Sequence, residues 1–165
     1  MNFEEFNRLV EKKRKEKPIW FAGDVEPVVS EKELKLAESQ LNTVLPDEFR
    51  LFLMKYGGGY FGLTNIFTAT DNEEWGLVKR NSELESKEGF LVVSDDEAGG
   101  YYGFLRQGTK CSDSVYYFYP GSGEVIQIKY SSFLSISQRL AFKNKAIRRA
   151  LCPTYRSKQI GWFHR

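Results

Sequence analysis

The sequence predicts an α+β fold: one domain with a central, mainly antiparallel β-sheet, helices packed on one side of it and a helix at its C-terminal end. Three observations predict it. Apolar residues recur with helical spacing through the first third of the chain, extended aromatic-rich runs follow Gly57-Gly58-Gly59, and a helical pattern returns after Tyr130. Helices first, strands next and one helix last is the order of an α+β domain, whereas a parallel sheet needs strands and helices to alternate. A chain of 165 residues fits one such domain, which can bury about 68–70% of its unfolded surface.

Each element has its own grounds. Residues 2–16 read as a helix because Phe3, Phe6 and Val10 share a face, and the run Lys12-Lys13-Arg14-Lys15 complements the negative end of its dipole. Pro18 ends it, and Ile19-Trp20-Phe21 form an apolar linker expected to pack on the core. Ser30-Glu31-Lys32-Glu33 is a capping box, with Val29 and Leu34 placed as a hydrophobic staple, so a second helix is predicted over about 31–42. Asn42-Thr43 break it. Leu45 to Gly59 is a third helix with both ends written in. Pro46 suits the first helical position, Asp47 and Glu48 face the positive dipole end, and Phe49, Phe52, Leu53 and Tyr56 form the apolar stripe. Gly57 is expected to supply a left-handed stop.

Strands are predicted within Tyr60–Thr70, Phe90–Val93, Tyr101–Leu105, Val115–Tyr119 and Val125–Tyr130. Pro120-Gly121-Ser122-Gly123 is hairpin chemistry between the last two. In the last strand Ile126, Ile128 and Tyr130 share one face, which predicts a sheet with one mainly buried side. The polar stretch 71–89 is expected to hold a short helix. Ser131 or Ser132 caps a final helix carrying Phe133, Ile136 and Leu140, with room to run past Ile147 to Leu151 before Pro153 stops it. The predicted domain is therefore 1–152, with its core at about 28–145, followed by a basic tail at 153–165.

The run Leu45-Pro46, Phe49, Phe52, Leu53, Gly57-Gly58, set between an upstream helix and a β-rich second half, resembles the SUKH superfamily. The Asp95–Gly100 turn and the helix start Ser131-Ser132-Phe133 fit the same pattern more loosely, and the resemblance spans roughly residues 28 to 142. The resemblance implies an α+β binding domain. Most members of that superfamily are small immunity proteins of bacterial toxin systems, with fungal cell-wall regulators and viral proteins as relatives.

Composition narrows the chemistry. The aromatic content of 15% builds a core without disulfides, and two cysteines, Cys111 and Cys152, read as free thiols of a reducing cytosol. Met1-Asn2-Phe3-Glu4-Glu5 lacks a signal-peptide pattern, and no apolar run approaches the ~20 residues of a membrane span, so the expected location is cytoplasmic. The one histidine, His164, is poorly placed for a Ser-His-Asp or Cys-His arrangement, and no zinc, calcium or phosphate-loop spacing is present. The expectation is a protein that is no enzyme, with no catalytic residue, metal or cofactor.

Charge points to a partner. The net charge is +2, yet no acidic residue follows Glu124, and the nine basic residues after it leave 15 basic against 22 acidic in residues 1–124, a net of −7. Within 71–97 nine acids face three bases, a net of −6. Asp71, Glu73, Glu74 and Trp75 with Asp95, Asp96, Glu97 and Tyr101 are the candidate partner-binding residues, because carboxylates steer a basic partner while aromatics supply anchor area. The bland reading is a solvated turn at 95–97, with Trp75 and one of Tyr101 and Tyr102 in the core. Tyr101 and Tyr102 must point to opposite faces of a strand. Joined to the resemblance, these features predict an immunity protein that neutralises a cognate toxin, basic and nuclease-type, by protein–protein contact. A regulatory interaction module ranks second. Nucleic-acid binding through the basic tail, with Tyr155 and Trp162, ranks third.

Overall fold

The first two helices start by the same device. A computed structural model, describing residues 1–62, 64–84, 89–128 and 132–142, shows reciprocal capping at Asn2 with Glu5 and at Ser30 with Glu33. These boxes open α1 (Phe3–Glu16) and α2 (Glu31–Leu41). A short 3-10 turn at Pro18–Phe21 follows α1, and Trp20 and Phe21 pack on the core while Ile19 stays in solvent. Asn42 closes α2 in the left-handed conformation, φ 51°. Helix α3 (Asp47–Tyr56) begins one residue later than predicted: Pro46 is extended, at ψ 143°, and stands just outside it as the cap. Gly57 ends α3 at φ 71°, ψ −143°, a glycine-only conformation and not the left-handed stop expected. A Cβ there would meet the Glu26 carbonyl oxygen at 2.2 Å, so close approach as well as torsion requires glycine.

The predicted strand over Tyr60–Thr70 is instead a hairpin, β1 (Gly59–Phe61) and β2 (Thr64–Ile66), folded at Gly62 with φ 64°. Its aromatic and β-branched residues read as one run because the turn between them is so short. The remaining strands are β3 (Phe90–Asp95), β4 (Tyr101–Gln107), β5 (Lys110–Tyr119) and β6 (Glu124–Gln127). All neighbours pair antiparallel, and the order in space is the order in the chain. The edge strand β6 departs from expectation: Ile126 is 40% exposed, while Val125 on the opposite face is half-buried in register with Phe118.

The apolar stripe of α3 is buried as predicted. Phe52 is the hub, its ring 4.9 Å from Phe61, 5.2 Å from Phe133 and 6.1 Å from Phe6. Burying such a side chain contributes about 1.5–3 kcal/mol. Phe49 and Phe133, from α3 and α5 (Phe133–Phe142), lie 5.7 and 6.3 Å from Phe104 of β4, which fixes the helix-covered side of the sheet. Ser132 caps α5 through the Ser135 N–H. The side chain of Leu140, the extension beyond Phe142, Cys152, His164 and the tail at 153–165 lie outside the described residues, as do Glu85, Lys87, Glu88, Lys129, Tyr130 and Ser131.

Helix α1 is part of the same core. Phe6 and Val10 are fully buried, and Phe6 stacks 6.4 Å from Phe142. The Tyr56 hydroxyl donates to Asn7 Oδ1 at 2.5 Å, and burial pushes that phenol up to about 12, so it remains a donor.

The predicted short helix is α4 (Leu77–Glu83), and it solves a pairing problem. Strand β2 pairs only with Ser94 and Asp95, leaving the earlier part of β3 with outward backbone groups. Asn81 takes them: its Nδ2 donates to Val92 O and its Oδ1 accepts from Val92 N, both at 2.8 Å. One side chain thus continues the ladder where the strand stops.

Candidate functional site

The two acidic stretches are separate turns that meet at α4. In the first, Asn72 shapes the loop by accepting from the Glu74 and Trp75 N–H groups at 2.8 and 2.7 Å, while its Nδ2 donates to Glu26 at 2.9 Å. Asp71, Glu73 and Glu74 are exposed on this turn. Glu73 pairs with Lys79, which also approaches Glu83 at 3.7 Å, so the turn is partly neutralised. Trp75 is half-buried against the core, and its carbonyl accepts from Thr68 N at 2.8 Å.

The second turn, between β3 and β4, is held in one shape from within. Asp96 Oδ1 accepts from the Ala98 and Gly100 N–H groups, each at 2.8 Å. Its Oδ2 accepts from the Tyr117 hydroxyl at 2.8 Å. That hydroxyl passes so close beneath Gly100 that an added Cβ would lie 1.8 Å from it. Glu97 at the tip adopts φ 58° and is exposed. Asp96 is therefore the fastener of the loop, and Asp95 and Glu97 flank it.

Asp95 sits in a cross-strand row that runs over the whole sheet: Tyr60, Asn65, Asp95, Tyr101, Phe118 and Val125 stand in direct register, one per strand. Residues in register share a face. Tyr102, next to Tyr101, is buried on the other face, 5.2 Å from Tyr117. Alternation then puts Tyr102 and Phe104 on the helix-covered side and the Asp95–Tyr101 row on the opposite one. Of the six residues in the row, Phe118 is buried and the other five are half-buried.

Asp95 Oδ1 accepts from Asn65 Nδ2 at 3.0 Å and from Glu97 N at 3.2 Å. Burial nonetheless pushes its carboxyl above the usual carboxylate range, with the Asp96 charge adding to the rise. The hydrogen bonds from Asn65 and Glu97 and the charge of Arg80 act the other way.

Arg80 joins the two turns. Its Nε donates to Glu74 O at 2.7 Å, and its guanidinium lies 5.7 Å from the centre of the Phe67 ring. With Asn65, Phe67, Leu84, Asp95, Glu97, Gly99 and Tyr101 it lines a cavity of about 260 Å³. The side chains of Asp71, Glu73, Glu74 and Trp75 are not part of that lining. Arg80, Asn65 and Asn72 carried no signal as site residues in the sequence, apart from the turn-forming habit of Asn72.

Among the described residues no group of three or more His, Cys, Asp or Glu side chains is arranged to hold a metal ion, and no helix is long and apolar enough to cross a membrane. Cys111 is a free, half-buried thiol, pushed up by burial. A family model described as SMI1-KNR4 cell-wall matches residues 31–135. Comparison with curated proteins gives no significant match.

Proposed function

The chain belongs to the SMI1-KNR4 cell-wall family of the SUKH superfamily, and from that membership we propose that it is an immunity protein: a cytoplasmic, non-enzymatic binder that neutralises a cognate bacterial toxin. The observation that carries the proposal is the Asp95–Gly100 loop, an acidic element locked in shape by Asp96 and Tyr117 before any partner arrives. A preformed loop loses little conformational entropy on binding. Its charge suits a basic, nuclease-type toxin, whose nucleic-acid cleft an acidic surface can fill in place of the nucleic acid. The flanking turn with Asp71, Glu73, Glu74 and Trp75 extends the contact, and Tyr101 supplies anchor area. The balance of 15 basic to 22 acidic residues through Glu124 adds long-range steering.

Co-expression with a nuclease-type toxin encoded beside it tests the proposal. The chain is expected to restore growth and to bind the toxin with an on-rate that falls as salt rises. Glu97→Ala with Glu73→Ala and Glu74→Ala is expected to slow association and flatten that salt dependence, with little change in dissociation. His164→Ala is expected to protect as well as the parent. Failure to restore growth in cells that make both proteins would refute the immunity role.

The family's cell-wall description favours a second reading, a regulatory interaction module acting in wall assembly. It predicts wall-stress sensitivity on deletion of the gene in a strain that carries no toxin, an outcome the immunity reading does not give.

A further inference from the structure

We infer that the cavity between α4 and the β3–β4 loop is a socket for a single arginine side chain of the partner. The inference rests on the proposed binding function and adds to it the chemistry of one contact. At about 260 Å³ the cavity falls below the ~300–1,000 Å³ typical of small-molecule sites, which suits one long side chain better than a free metabolite. Its walls supply two aromatic rings, Phe67 and Tyr101, one amide, Asn65, two carboxylates, Asp95 and Glu97, and one guanidinium, Arg80, which leaves the lining with a net negative charge.

The state of Asp95 points to the charge of the occupant. Its Oδ1 is engaged by two neutral donors, and no basic side chain lies within 4 Å of it among the described residues. Arg80 is the cation at hand, yet it is drawn aside to the Glu74 carbonyl and the Phe67 ring. Asp95 is therefore a partly desolvated carboxylate without a direct counter-ion among the described residues, beside an open space. An incoming cation would recover what burial has cost that group. Arginine fits better than lysine for two reasons. Its flat, weakly hydrated guanidinium can stack on Tyr101 while forking onto the carboxylate, and it tolerates a second guanidinium nearby better than a strongly hydrated ammonium does.

The test needs no toxin. N-acetyl-arginine amide is titrated into the ¹⁵N-labelled full chain, with N-acetyl-lysine amide and N-acetyl-glutamine amide as controls. The arginine probe is expected to give saturable shifts at Asn65, Gly99 and Tyr101, weakened about tenfold or more by Asp95→Asn, a change worth roughly 1.4 kcal/mol. Should Asp95→Asn fail to fold, Tyr101→Leu is expected to weaken the arginine probe more than the lysine probe. Equal shifts with the glutamine probe, or undiminished arginine binding in the folded Asp95→Asn variant, would overturn the socket. Toxin rescue by Asp95→Asn at parental strength overturns the socket alone and leaves the immunity function standing.

Discussion

Removing the Phe52 ring takes away the centre of an aromatic cluster that ties α3 to α1, β1 and α5 at once. Phe52→Ala is expected to cost about 3–5 kcal/mol, because the three elements packed around it cannot all collapse into one cavity. Urea unfolding measures it, and an unchanged midpoint would contradict the central place given to this ring. Asp95 behaves in the opposite sense. Its folded carboxyl titrates above the unfolded value of about 3.9, so the folded chain holds that proton more tightly. Stability therefore declines as pH rises from the unfolded value through the folded one. Asp95→Asn is expected to match or exceed the parent's stability at about pH 7, and to lose any such gain near pH 3, where the acid is protonated in both states. A parent clearly more stable than the variant at neutral pH would refute the sign.

Among elements, α4 is the one whose position depends most on a single amide. Asn81→Ala leaves the N–H and C=O of Val92, a fully buried residue, without their side-chain partner. Each buried group left unmade costs about 1–3 kcal/mol, and hydrogen exchange at Val92 is expected to accelerate before the global unfolding midpoint moves far. This contact also marks where the sequence stops being readable. Ser30 with Glu33 is visible as a cap because its partners are three residues apart, and the α3 stripe is visible because one helix face holds it. Asn81 with Val92, Glu38 with Arg50 at 2.5 Å and Asp96 with Tyr117 join residues whose meeting depends on the finished fold. The candidate site divides the same way. Its carboxylates could be counted in the chain, but the fastening role of Asp96 depends on Tyr117 of a distant strand, and the cavity depends on Arg80 being drawn toward Glu74. Ile126 departs from the pattern because alternation says which residues share a face, whereas burial of that face depends on β6 lying at the sheet's edge.

For the whole molecule, the family match begins at residue 31, yet α1 lies within the core through Phe6 and Val10. Deleting residues 1–22 is expected to expose Phe61 and Phe142 and to lower the melting temperature more than any single surface substitution. A truncated chain with the parent's melting curve would show that α1 only decorates the domain. The β-meander has a consequence for how the chain folds. Every strand in it pairs with its neighbour in sequence, and each pairing except β2–β3, whose partners Asn65 and Asp95 lie 30 residues apart, closes a short loop, so β3 to β6 can zip from one hairpin to the next. The packing of Phe6 on Phe142, by contrast, brings together residues near the two ends of the described chain. That closure spans almost the whole described chain and has a high entropic cost, so α1 is expected to dock after the rate-limiting barrier. In stopped-flow kinetics, then, Phe6→Leu should speed unfolding while barely slowing refolding, whereas loosening the β4–β5 hairpin should slow refolding itself.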